Sequence, residues 1–259
     1  MENGKTYSTI LKLIEQEKGL TFMQLDPPNF DPETSGKIAK MAEENGISAL
    51  AVGGSVGAQG ELLDQTIKQI KENSSLPVIL FPGNIATLNK RADAIYFMSM
   101  LNSNDPYWIS GAQTGSSFPV KKMGIEVIPT SYIIIEPGEA AGWMGRAQLI
   151  PRNKPYLAAA TALAGQYMGS KLVILESGGG APAPCPKEMV AYTKKMIDVP
   201  LVIAGGVKTP ALAYETIKAG ADIIQVGTAF EASNGNPKEM ANKFKAITDA
   251  VKKAGKEKK

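Results

Sequence analysis

A one-domain α/β fold, a (β/α)8 barrel, is predicted by three observations. Eight short runs are rich in apolar and β-branched residues, segments of helical period lie between them, and no linker or composition shift divides the 259 residues. The runs are residues 20–26, 48–53, 78–81, 94–99, 127–136, 172–176, 201–206 and 223–227. The first stops at Asp26 before the stiff Pro27-Pro28 pair, and the second stops at Gly53-Gly54. The third, Val78-Ile79-Leu80-Phe81, and the seventh, Leu201-Val202-Ile203-Ala204, are apolar on both faces, as parallel strands covered on both sides must be. Helical periods run over 33–45, 61–73, 187–197 and 210–219, with Gly46 and Gly220 placed to cap C-termini. A doubly wound sheet would use fewer strands and an early glycine fingerprint. Residues 137–155, with Gly138, Gly142 and Gly145, form the longest irregular stretch and follow the fifth run, so they are expected at the barrel mouth as a lid or as a plain connector. Residues 1–259 are thus expected to be one domain, with 252–259 a basic, mobile tail.

Composition narrows the chemistry. With 44% apolar residues the chain can bury a large core, and 28 basic against 25 acidic residues leave a net charge of only +3, which argues against a nucleic-acid groove. No apolar run is long enough to cross a bilayer and Met1–Lys5 lacks a secretory apolar region, so a cytoplasmic location is expected. The lone Cys185 fits a reducing compartment. Zero histidine removes Ser-His-Asp and Cys-His nucleophiles, histidine zinc sites and imidazole acid–base catalysis. Carboxylates, Lys, Tyr and backbone amides remain, and any catalytic metal would be a hard cation on oxygen, Mg2+ first.

Glycine clusters end the last three runs: Glu176-Ser177-Gly178-Gly179-Gly180, Ala204-Gly205-Gly206-Val207-Lys208 and Val226-Gly227-Thr228. Glycine lets backbone N–H groups approach an anion, and strands seven and eight are the usual phosphate position of such barrels. Tight βα turns are the plain alternative for any one cluster. Asp26 and Ser55 end the first two runs and make a sparse ligand set that suits Mg2+, against a default role in turns or N-caps. Glu176, at the end of an apolar run before a glycine turn, is the best-placed general base in a chain without histidine. Asp93 and Asp222 precede their runs and belong to the opposite end. Tyr132, Tyr96, Phe97, Met98, Met100, Tyr107 and Trp108 crowd the fourth and fifth units. Core packing is their default reading, and a groove for a long apolar ligand would use the same residue types.

Longer strings carry a family resemblance. Phe81-Pro82-Gly83-Asn84, Ala92-Asp93-Ala94-Ile95-Tyr96-Phe97-Met98-Ser99 with Leu101-Asn102-Ser103, Asp105-Pro106-Tyr107-Trp108-Ile109, Lys122-Met123-Gly124-Ile125-Glu126, Glu136-Pro137-Gly138 and Pro151-Arg152-Asn153-Lys154-Pro155 stand in order ahead of Gly205-Gly206 and Gly227-Thr228. Over roughly residues 20–230 the chain resembles the geranylgeranylglyceryl phosphate synthase family. The resemblance implies a barrel prenyltransferase that joins sn-glycerol 1-phosphate to geranylgeranyl diphosphate with Mg2+, making the first ether bond of archaeal membrane lipids. It implies Asp26 and Ser55 as metal ligands and Glu176 facing the glycerol hydroxyl. The glycerol phosphate cradle would be Ile174, Leu175, Glu176, Ser177, Gly178, Gly179 and Gly180 with Gly205, Gly206, Gly227 and Thr228, and Tyr132 and Met98 would line the prenyl groove. A homo-oligomer, dimer or hexamer, and peripheral contact with membranes are further implications.

Departures from the family pattern fall near these positions. Ile174 stands where a Tyr is usual, Gly179 lies in an altered glycine string, Lys208 replaces an Arg, and Gln24 and Pro28 flank the Asp26-Pro27 motif in place of the usual charged residues. Lys lacks the planar fork of Arg for bidentate phosphate binding. The departures allow an altered paralogue with another substrate, and three functions compete: the family reaction, an isomerase or lyase of a small sugar or amino-acid phosphate, and a silent barrel that binds a phosphorylated metabolite. An apolar groove open to the barrel mouth separates the first from the others.

Overall fold

The computed structural model describes residues 3–231 and 236–258. Its elements in order are α1 Lys5–Glu17, β1 Leu20–Leu25, α2 Pro32–Glu44, β2 Ala49–Gly54, α3 Gly60–Asn73, β3 Val78–Pro82, β4 Ala94–Met100, α4 Ala112–Met123, β5 Glu126–Ile134, α5 Glu139–Met144, α6 Pro155–Tyr167, β6 Leu172–Glu176, α7 Lys187–Met196, β7 Leu201–Ala204, α8 Pro210–Lys218, β8 Ile223–Val226, α9 Thr228–Glu231 and α10 Pro237–Lys256. The eight strands pair in parallel, each with the next, and β8 pairs with β1 to close the barrel.

Alternation along each strand explains why both faces are apolar. In β7, Val202 and Ala204 point into the barrel, while Leu201 and Ile203 join the outer core under the helices. The interior mixes sizes, with Ala49, Ala51 and Ala94 opposite Phe22, Tyr96 and Tyr132, so large rings fill a closed space without overpacking. Helix starts are built from the sequence. Asp31 accepts from the Thr34 amide and Thr209 from that of Leu212, each ahead of a proline in the first turn. The N-terminal end is plugged by α1, whose Tyr7 and Ile10 pack into the interior cluster while the Glu126 carboxylate accepts from the amides of Thr6 and Tyr7. Among the described residues, the C-terminal mouth is the end left open.

Two expectations change. The eight strand-then-helix units become seven, because residues 83–93 run from β3 to β4 without a helix and leave a gap in the outer layer between α3 and α4. The expected mobile basic tail is largely structured. Residues 252–256 finish α10, and the Lys258 ammonium donates to the Ala221 carbonyl at 2.9 Å and to Asp222 at 3.3 Å. Amphipathic packing of α10, with Val251 and Ala254 buried, outweighs the solvation of its lysines.

Candidate active site

Period-two alternation carries one set of polar side chains to the inner face of the mouth. Gln24 and Asp26 continue the inward row Leu20, Phe22 of β1, Glu176 continues Leu172, Ile174 of β6, and Gln225 follows Ile223 of β8. Neighbouring strands are in register there, with Glu176 opposite Ala204 and Ala204 opposite Gln225. A cavity of about 510 Å³ opens among them, within the usual range of small-molecule sites.

Glu176 is 5% exposed. Its Oε1 accepts from the Gly178 amide at 2.6 Å and its Oε2 from the Tyr132 hydroxyl at 3.4 Å. Burial pushes the carboxyl up to about 7; those two donors oppose the rise and the nearby Asp26 carboxylate adds to it. Glycine is obligatory beside it: at Gly205, with φ +77°, a Cβ would lie 2.5 Å from Glu176 Oε1. Tyr132 is raised by burial and by Glu176, so its phenol stays protonated and donates. Phe81 wedges edge-on against both Tyr96 and Tyr132, with centroids 5.9 and 5.6 Å away, and fixes the two phenols.

The adjoining rim is built of backbone. Gly205, Gly206, Gly227 and Thr228 line the cavity with Gly179, Gly180 and Lys208, whose ammonium donates to the Gly180 carbonyl at 3.1 Å. These groups suit a phosphate. The predicted cradle divides here. Glu176, Gly179, Gly180, Gly205, Gly206, Gly227 and Thr228 meet at the cavity, whereas Ile174, Leu175, Ser177 and Gly178 do not line it. Ile174 is fully buried one layer below, Leu175 belongs to the outer core, Ser177 is fully buried, and the Gly178 amide is committed to Glu176.

Asp26 and Ser55 both line the cavity at the adjacent ends of β1 and β2. Gly54 makes room for the Asp26 carboxylate, since a Cβ there would lie 2.9 Å from Oδ2. Among the described residues no group of three or more carboxylate or thiol ligands gathers to enclose a metal. One carboxylate and one hydroxyl fit a Mg2+ that keeps its waters and shares oxygens with a substrate phosphate.

From this polar centre the cavity continues over the rim and onto the outer face of β4. Its wall there is the half-buried Phe97 with Leu88, Trp108 and Ala112, left uncovered because no helix follows β3, and the buried Ile95 lies at its floor. Met98 and the buried Tyr132, the two residues expected at the groove, both line the cavity. Of this wall the sequence offered Phe97 and Trp108 as groove candidates, and Leu88, Ile95 and Ala112 were missed. The available signal was the short, turn-rich spacing between Pro82 and Ala94, which has no room for a strand-covering helix. Residues 137–155 contribute α5 as a further wall through Ala140, Ala141 and Met144. They are tied down by Asn102, which donates to the carbonyls of Ile134 and Gln148 at 2.8 and 2.9 Å, and by Ser103, which donates to that of Gly145 at 2.6 Å.

A parallel barrel whose mouth joins a glycine-built anion rim to a buried carboxylate and an apolar groove is the frame of a barrel enzyme acting on a phosphorylated, partly apolar substrate. Comparison with known proteins narrows this class. The PcrB family model matches residues 12–251, and the chain belongs to that family. It is 52% identical over 252 residues to the geranylgeranylglyceryl phosphate synthase of Thermococcus gammatolerans, 97% of this chain and 99% of that protein. The solved (S)-3-O-geranylgeranylglyceryl phosphate synthase of Thermoplasma acidophilum, in complex with substrate sn-glycerol-1-phosphate, matches with a TM-score of 0.90 at 33% identity, over 98% of this chain and 100% of that one. The Thermoplasma volcanium enzyme gives 0.89 at 37% identity, over 94% and 97%.

Proposed function

We propose that the protein transfers a geranylgeranyl group from its diphosphate to sn-glycerol 1-phosphate. The observation that carries this reading is the continuity of the anion rim, Glu176 and the apolar groove in one cavity. An isomerase of small phosphorylated metabolites, or a silent metabolite-binding barrel, has no use for that groove.

In this reading the glycerol phosphate sits against Gly205-Gly206 and Gly227-Thr228, with the Lys208 ammonium close by. That directs a glycerol hydroxyl to Glu176. The hydroxyl oxygen forms the new bond to C1 of the prenyl chain, the bond from C1 to the diphosphate oxygen breaks, and the hydroxyl proton passes to Glu176. A base poised near neutrality suits that transfer. The allylic carbocation character of C1 makes a covalent protein nucleophile unnecessary. Asp26 and Ser55 would hold Mg2+, which supplies charge neutralisation for the departing diphosphate. Burial of the tail beside Ile95 and Phe97, at ~0.8 kcal/mol per carbon, contributes on the order of 10 kcal/mol before the cost of ordering the chain is subtracted.

Among the described residues no helix is long and apolar enough to cross a membrane. A lipid-like product would leave through peripheral contact with a membrane, and the cytoplasm is where both phosphorylated substrates would be met. Exposed apolar side chains on the neighbouring helices α6 and α7, Tyr156, Leu157, Tyr192 and Met196, support a homo-oligomer.

Incubation of the protein with Mg2+, labelled sn-glycerol 1-phosphate and prenyl diphosphates of several lengths tests the reading. Label should move into the organic phase, best with the C20 donor. Folded protein that moves no label with any donor would contradict it.

A further inference from the structure

We propose that Gln24 and Gln225 form an amide relay that positions the Asp26 carboxylate at the diphosphate end of the cavity. The inference deepens the reading of Asp26 as a Mg2+ ligand and rests on it. Gln24 Nε2 lies 2.6 Å from Asp26 Oδ1 and 3.4 Å from the Gly53 carbonyl. A carboxylate and a carbonyl only accept, so the atom facing them is the amide nitrogen. Its orientation fixes everything behind it. Gln24 Oε1 must then accept, and it does so from Gln225 Nε2 at 2.8 Å. Gln225 Oε1 accepts in turn from the Tyr96 hydroxyl at 3.4 Å. Every donor in this row points toward Asp26, so the dipoles align and reinforce one another in a buried setting.

The surroundings hold the relay in place. Gln225 is 3% exposed and Tyr96 fully buried. Phe22 pairs in register with Gln225, which places Gln225 one layer beneath Gln24 on the adjacent strand. Gly227 leaves room above, since a Cβ there would come within 3.0 Å of Gln24 Cβ. Gln24 touches both Asp26 and the end of β2 that carries Ser55, so it couples the two groups of the sparse ligand set. Gln225 reaches Asp26 through Gln24. Both are positioning residues.

Methionine matches glutamine in length and carries no amide. Calorimetric titration of inorganic diphosphate in excess Mg2+, with the phosphate rim saturated by sn-glycerol 1-phosphate, is the test on wild type, Gln24→Met, Gln225→Met and the double variant. Loss of such outer support typically weakens metal-dependent binding by about 10- to 100-fold. Gln24→Met should weaken diphosphate about tenfold or more and Gln225→Met by a smaller factor. The double variant should match Gln24→Met, because both substitutions break one chain. Affinity for sn-glycerol 1-phosphate without Mg2+ should stay within about twofold throughout. Wild-type diphosphate affinity in the variants, equal losses for both ligands, or additive losses in the double variant would overturn the relay while leaving the reading of Asp26 intact. Wild-type protein that binds no diphosphate in Mg2+ would overturn that reading and the relay with it. Should a single variant fail to fold for want of a partner for its remaining amide, the double variant, which leaves no such amide, decides: weakened diphosphate binding supports the relay and wild-type binding overturns it.

Discussion

Glu176 must be ionised to take a proton and neutral to sit comfortably where it is buried, and its position near neutrality reconciles the two. Its isolated side chain titrates at 4.5 and the folded one at about 7, so between these values the folded state holds a proton that the unfolded state has lost, and stability falls as pH rises. Glu176→Gln should therefore gain up to about 3 kcal/mol over wild type at pH 8 and nothing at pH 4, measured by urea unfolding at each pH. The same variant should lose ~10²–10⁴ in turnover with both substrates saturating. Tyr132 donates to Glu176 and favours its charged form. Tyr132→Phe should shift the acidic limb of kcat/KM upward by roughly half a unit, a shift that a purely structural loss would not produce.

Missing and added elements decide what the barrel binds. The absent helix after β3 leaves the outward Phe97 of β4 half-buried as groove wall, over the buried Ile95. Ala112 starts α4 on the far side of that groove. Ala112→Trp should fill the groove and shift donor preference from C20 toward shorter chains by tenfold or more, roughly the loss of two to four buried carbons, read from competition between donors. The eight strands were legible because each run is rich in apolar and β-branched residues, several of them on both faces, and is followed by a polar or glycine turn, and the rim glycines and Glu176 were legible from their place at strand ends. The gap was not, because counting strands presumes a helix after each. Nor was the pairing of Gln24 with Gln225, 201 residues apart, since it exists only once β8 closes on β1. Leu175 and Ser177 entered the cradle with the whole 174–180 segment that the family resemblance implies, whereas Leu175 belongs to the outer core and neither lines the cavity.

At the scale of the whole molecule, one end of the barrel is built for stability and the other for chemistry. Asp222 accepts from the Leu201 amide and from the ammoniums of Lys194 and Lys258, tying β7, β8, α7 and the chain end together. Burial lowers the pKa of Lys258, so this ammonium depends on its partner carboxylate. Asp222→Ala should cost about 2–4 kcal/mol of stability, near the value for breaking a buried pair, with activity per folded molecule unchanged because the site lies at the opposite mouth. Asp93 does the same work between α3 and β3, accepting from Lys71 and from the Val78 amide. With that end closed by α1, acceptor and donor can meet only at the C-terminal mouth. The most direct test is a crystal of the protein with sn-glycerol 1-phosphate, Mg2+ and a non-hydrolysable geranylgeranyl diphosphate analogue. Phosphate density is expected on Gly205-Gly206 and Gly227-Thr228, a glycerol hydroxyl within hydrogen-bond distance of Glu176, and the prenyl tail outside the barrel along Phe97 and Trp108. A tail threaded elsewhere, or a glycerol hydroxyl remote from Glu176, would contradict the proposed function.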